Sequence, residues 1–174
     1  AGVRAWVTGP GTRAALAAQG VPPACVDGPP DDAAQFDSEA LWAVVAGQVR
    51  PGDRVLVVRG GNAGGEPEGR DWLAAKLAAA GAQVDTVVAY VRQRPEWGED
   101  ERRHAADPQA WWLFSSSEAI ANLAAVAPDF DPAGARAICT HPRIAAAAQR
   151  TGFGRVETLR PDVDALAAFL QSCS

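Results

Sequence analysis

Methionine is absent from this 174-residue chain and lysine occurs once, as Lys76, while alanine is abundant; the bias suits GC-rich coding and points to no function. The three cysteines, Cys25, Cys139 and Cys173, are odd in number, widely spaced and free of any CxxC pair. That excludes a disulfide framework and a zinc pattern, and fits a reducing, cytoplasmic setting. The two histidines, His104 and His141, are distant, with no cysteine or carboxylate at ligand spacing, so no metal site is expected. No apolar run approaches the ~18 residues that would suggest a membrane span. A net charge of -5 and a pI near 5.0 leave no global positive field for nucleic acid or anionic lipid, so an anionic ligand has to be gripped locally. The glycine run Gly60 to Gly65 lacks a following Gly-Lys-Ser/Thr, which disfavours an ATPase, and no serine is flanked as in a nucleophile elbow, which disfavours a hydrolase. The sequence starts at Ala1 and opens almost at once on the strand-like run Val3 to Thr8, without a charged-then-apolar leader. The start of the gene product is therefore expected to be missing.

What is present is a fourfold echo: a short apolar run, a corner of small residues, then an alanine- and leucine-rich helical stretch, often closed by glycine. It reads Arg4 to Thr8 into Gly9-Pro10-Gly11-Thr12 and on to Gly20; Arg54 to Val58 into the glycine run, then Arg70 to Ala80 and Gly81; Trp111 to Phe114 into Ser115-Ser116-Ser117, then Glu118 to Val126; and Arg136 to Cys139 into Thr140-His141-Pro142, then Arg143 to Thr151 and Gly152. Apolar runs without alternation predict strands buried on both faces of helix-covered parallel sheets, connected by right-handed crossovers. Gly20, Gly81 and Gly152 stand as helix-ending glycines, Pro142 as a first-turn proline, and Ser115 with Glu118 as a capping box. Further helices are predicted at Ser38 to Val49 after Asp37 and at Val163 to Leu170 after Asp162, with strands at Ala24 to Val26, Gln83 to Val91 and Val156 to Leu159. At 48% hydrophobic residues the chain can bury a real core, as one large domain or two small ones. The charged, proline-containing stretch from Arg92 to Glu101 separates two units of the echo from the other two, so two related lobes with a shared cleft are expected, residues 1–90 and 91–174, with a short helix after the boundary.

Several positions are candidates for chemistry. Gly9-Pro10-Gly11-Thr12-Arg13-Ala14 fits G-x-G-x-x-A, with Asp27 eighteen residues after Gly9, formally a dinucleotide fingerprint. Pro10 removes a donor that a pyrophosphate would need, which leaves a plain strand-to-helix turn or a helix start that holds another anion. The Gly60–Gly61 corner could turn amides toward a ligand, and Ser115, Ser116 and Ser117 stand where open α/β sheets bind ligands, or merely cap a helix. His104 reads as a solvated surface residue, and His141 as exposed at a helix start. Tyr90, the only tyrosine, needs a hydrogen-bond partner whether its role is structural or functional.

Taken in order, Val7 to Leu16, Phe36 to Leu41, Val55 to Gly60 with Arg70 to Leu73, Gly81 to Asp85 with Ala89-Tyr90, Leu113 to Ala119 and Thr140 to Ala145 resemble the uroporphyrinogen-III synthase family. No single stretch is diagnostic; the ordered combination carries the resemblance. It implies an α/β fold of two flavodoxin-like, HemD-like lobes with parallel sheets flanked by helices and joined by a linker. Residues 1–90 would be the later part of the inserted lobe and 91–174 the terminal lobe, with the first strands of the family pattern absent. Arg143 stands where many relatives carry threonine. The implied reaction is the cyclisation of hydroxymethylbilane, a linear tetrapyrrole with eight carboxylates, to uroporphyrinogen III: loss of the terminal hydroxyl as water gives an azafulvene, and a spiro intermediate inverts the last ring. The implied catalytic residue is Tyr90, assisting hydroxyl departure, and the implied substrate-binding residues are Gly11, Thr12, Gly60, Gly61, Ser115, Ser116, Ser117, His141 and Arg143. No cofactor, nucleic acid or membrane is implied, and the protein would be a cytoplasmic monomer. Two rivals remain: a two-lobed small-molecule binding protein without turnover, and a nucleotide-dependent oxidoreductase using Asp27.

Overall fold

Strands and helices alternate along the whole chain in a computed structural model that describes residues 2–173. Two compact units divide it, Ala1–Gln93 and Arg94–Ser174. The first unit runs β1 (Ala5–Trp6), α1 (Pro10–Ala18), β2 (Val26–Asp27), α2 (Ser38–Val45), β3 (Arg54–Gly61), α3 (Trp72–Ala79) and β4 (Gln83–Val91). The second runs α4 (Glu99–Ala105), β5 (Trp111–Phe114), α5 (Ser117–Val126), β6 (Arg136–Cys139), α6 (Pro142–Thr151), β7 (Arg155–Thr158) and α7 (Val163–Ser172). Every pairing between named strands is parallel: β1 with β2, β3 with β4, and β5, β6, β7 in that order. This is the α/β architecture of helix-flanked parallel strands that the fourfold echo predicts.

Helix boundaries follow local chemistry. Asp37 and Asp162 cap α2 and α7, their carboxylates accepting from the amides of Ala40 at 2.9 Å and Ala165 at 2.8 Å. Gly20, Gly81 and Gly152 all have positive φ just beyond the ends of α1, α3 and α6. The capping box expected of Ser115 and Glu118 is displaced by one residue: Ser115 is still leaving β5, and Ser116 Oγ accepts from Ala119 N at 3.1 Å. α2 stops four residues before the expected Val49, passing into a 3₁₀ turn at Ala46–Gln48. β1 pairs over Ala5 and Trp6 alone, because its partner β2 is two residues long; Pro23–Cys25 form a 3₁₀ turn where a strand from Ala24 was expected. β7 begins at Arg155, one residue early, and α7 continues to Ser172.

The core of the second unit gathers Phe114, Ile120, Leu123, Ala137, Cys139, Ile144, Ala148 and Phe153, with Trp112 and Phe130 packed against them. In the first unit Leu77 of α3 is the centre, fully buried with Val49 and Ala82 beneath Val55, Val57 and Val84 of the β3–β4 sheet. Each fully buried aliphatic side chain contributes about 1.5–3 kcal/mol. The expectation of strands buried on both faces holds for β6, whose Ala137, Ile138 and Cys139 are all buried, and fails for β3. There Val55 and Val57 face α3 while Leu56 and Val58 are 61% and 62% exposed, since no described element of its own unit covers that side.

Candidate functional site

Parallel strands flanked by helices leave their carboxyl ends open, and ligands of such sheets bind there. Each candidate residue lies at that end of a strand in its own unit. Gly11 and Thr12 occupy the first turn of α1, directly after β1, and both are exposed. With Pro10 at the helix start and Gly9 offering no side-chain cap, the amides of Gly11 and Thr12 have no intrahelical acceptor and can meet an anion.

Ser115, Ser116 and Ser117 follow β5, and His141 and Arg143 follow β6, the neighbouring strand. The two corners are tied together by Thr140, whose amide donates to the Phe114 carbonyl at 3.1 Å. His141 caps α6: its Nδ1 accepts from Arg143 N at 3.0 Å, so Nε2 carries the ring proton. The amides of Ile144 and Ala145 both go to the His141 carbonyl, and Pro142 has none to offer. The start of α6 therefore presents side chains, the imidazole and the Arg143 guanidinium, where α1 presents backbone.

The glycine corner differs from its expected form. Gly60 and Gly61 are the buried last residues of β3, and the turn begins at Asn62, whose Oδ1 accepts from the amides of Gly64 at 2.9 Å and Glu66 at 3.1 Å. Arg59 fastens the loop, donating to the Glu68 carbonyl at 2.7 Å and pairing with Asp71 at 2.6 Å. Gly61 has the Glu66 carbonyl only 2.7 Å from where a Cβ would stand, which explains the glycine there.

Tyr90 sits opposite Gly60 through a bulge. The ladder pairs Arg59 with Val88 and Gly60 with Tyr90, leaving Ala89 unmatched. The extra residue puts Tyr90 on the open face, beside Val58 and Val87, where it is 55% exposed. Its ring lies against Gly60 so closely that a Cβ there would come within 2.5 Å of Cε2. Arg92 also contacts it, with Nη2 donating to the phenol oxygen at 3.2 Å and the guanidinium carbon 5.4 Å from the ring centroid. Residue-level reasoning passed over Arg92, although the Tyr90-x-Arg92 spacing of an extended strand puts both side chains on one face.

Two further positions are accounted for. Both oxygens of Asp27 accept from Arg4 at 2.6 Å, which holds the carboxyl below its ordinary range. His104 is exposed on α4. A hollow of about 470 Å³ lies at the opposite, amino end of β5 and β6, against Trp97, Trp112 and Phe130, and no candidate residue lines it. Among the described residues no group of three or more His, Cys, Asp or Glu side chains is arranged to hold a metal ion, and no helix is long and apolar enough to cross a membrane.

With this geometry in place, comparison with known proteins is decisive for the family: the model of uroporphyrinogen-III synthase HemD matches residues 1–168. The chain belongs to the uroporphyrinogen-III synthase HemD family. Among solved structures, this HemD-family chain is similar to a mutant uroporphyrinogen III synthase from the extremely thermophilic bacterium Thermus thermophilus, at 18% identity and a TM-score of 0.44. The match covers 92% of this chain and 60% of that one, so the chain spans about 60% of the length of that HemD-family relative. No curated protein matches.

Proposed function

We propose that this HemD-family chain is part of an enzyme that cyclises hydroxymethylbilane to uroporphyrinogen III with loss of water and inversion of the last ring, a lyase of tetrapyrrole biosynthesis. The unit Ala1–Gln93 would correspond to the inserted lobe of the family and Arg94–Ser174 to the terminal lobe. Support comes from family membership, and the single observation that carries the mechanism is the setting of Tyr90: a half-exposed phenol at the carboxyl end of β4, backed by Gly60 and hydrogen-bonded by Arg92.

The substrate is a flexible polyacid whose two ends must meet in one arrangement, so the enzyme's task is largely the entropy of positioning. The amides of Gly11 and Thr12, the hydroxyls of Ser115, Ser116 and Ser117, His141 Nε2–H and the Arg143 guanidinium are donors for its carboxylates. Gly60 and Gly61 contribute by letting the Tyr90 ring and the loop approach the backbone. Tyr90 donates its hydroxyl proton to the departing hydroxyl group. The C–O bond breaks with both electrons leaving on oxygen as water, and the pyrrole nitrogen lone pair forms the azafulvene. The proton lost when the last ring regains aromaticity returns to the phenolate. On this view the protein works as a cytoplasmic monomer without a resident cofactor.

The test is turnover of hydroxymethylbilane by the gene product as the cell makes it, with the type I and type III isomers separated. Type III is expected, and Tyr90→Phe is expected to lower kcat by about a hundredfold, the scale of one general acid. Formation of the type I isomer alone would overturn the function. Unchanged kcat in Tyr90→Phe would overturn the role of the phenol and leave the function standing.

A further inference from the structure

We infer that Arg92 is the positioning residue of Tyr90, fixing which way its hydroxyl proton points. The inference rests on Tyr90 being the donor proposed above, and it assigns work to a residue outside the candidate set.

A phenol can donate one hydrogen bond and accept two, whereas a guanidinium only donates. With Arg92 Nη2 3.2 Å from the Tyr90 oxygen, the oxygen must accept, and its own proton turns away from Arg92 toward solvent, the side from which a substrate arrives. A charged donor on the phenol oxygen also strengthens the hydrogen bond that the phenol gives.

Arg92 is itself anchored. Its amide donates to the Gly61 carbonyl at 2.9 Å, continuing the β3–β4 ladder past the bulge, and its side chain is half-buried although Tyr90 is 55% exposed. The guanidinium lies 5.4 Å from the ring centroid, within the range of cation–π attraction. The ring is therefore held by two contacts, with the Gly60 backbone and with Arg92. A solvent-facing tyrosine without these contacts would turn freely about its side-chain bonds.

Because Tyr90 is the only tyrosine, carbon-13 labelling of its phenol carbon gives one resonance that reads this contact directly. Arg92→Leu is expected to shift that resonance with no change in circular dichroism, and Arg92→Lys, which keeps a charged donor, to shift it less. In hydroxymethylbilane turnover, Arg92→Leu is expected to lower kcat about tenfold with KM within about twofold, the effect of a misoriented group. Arg92→Lys should recover part of kcat, and Tyr90→Phe/Arg92→Leu should be no slower than Tyr90→Phe alone. An unmoved resonance, or unchanged kcat in Arg92→Leu while Tyr90→Phe is impaired, overturns the positioning role and leaves the reading of Tyr90 intact. A rise in KM with kcat preserved would make Arg92 a carboxylate ligand and equally overturn it. Normal turnover by Tyr90→Phe itself would remove the reading on which the inference stands.

Discussion

Cys139, Asp27 and Glu39 each show how a neighbour sets the behaviour of a titratable side chain. Cys139 is fully buried in β6, and burial pushes its thiol above the ordinary value, while Cys25 and Cys173 are half-exposed. A thiol reagent applied to the native chain should label Cys25 and Cys173 rapidly and reach Cys139 on unfolding alone, as peptide mapping would report. Asp27 beside Arg4 and Glu39 beside Arg70 are both held below the ordinary carboxylate range by those hydrogen bonds. A carboxyl with a lowered folded-state value contributes stability that is present above its unfolded value and lost as pH falls through the folded one. Denaturation midpoints should therefore fall on acidification from about pH 6 to about pH 3, and Asp27→Asn should flatten part of that dependence; both pairs are partly solvated, so the effect is modest. At this scale the sequence revealed the candidate positions but not their partners. Arg4 and Asp27 are 23 residues apart, and only the parallel pairing of β1 with β2 brings them together.

At the scale of elements, legibility tracked length and burial. β4 to β6 fall on their expected boundaries because each is rich in β-branched, aromatic or other apolar residues between clear breakers, whereas β1 and β2, held by a two-residue pairing, were read too long or too early. The one-sided burial of β3 escaped the sequence because Val55-Leu56-Val57-Val58 is apolar at every position, a pattern that records hydrophobicity without saying which face is covered. Mutation separates the two faces. Leu77→Ala, at a fully buried site under the sheet, should cost about 2–5 kcal/mol. Leu56→Thr, on the open face, should stay within about 0.5 kcal/mol, both read from urea denaturation. The glycine corner was misread for a related reason: glycine ordinarily breaks strands, yet Gly60 and Gly61 stay in β3 because a ring and a carbonyl press on them.

At the scale of the molecule, the fourfold echo carried the architecture: two units, each with parallel strands and crossover helices, divided close to where charge and proline interrupt the pattern. Trp97, just past the division, stacks on Trp112 of the second unit at 6.0 Å between centroids, so the separable stretch ends before it. Brief digestion with a glutamate-specific protease is expected to cut first at exposed Glu96, yielding fragments 1–96 and 97–174 by mass, with Trp97 retained by the second. The family could be read from ordered stretches spread over the chain, whereas no local pattern announces the bulge in β4, which is a property of two strands in register.

That bulge makes the parity of β4 decide which face of the sheet carries the phenol. Were β4 to pair with β3 without the bulge, Ala89 would stand opposite Gly60, Tyr90 would move opposite Gly61, and the phenol would turn to the face that packs on α3. A one-residue slip of register in this strand, with every candidate side chain still present, would thus displace the phenol as surely as losing the tyrosine itself.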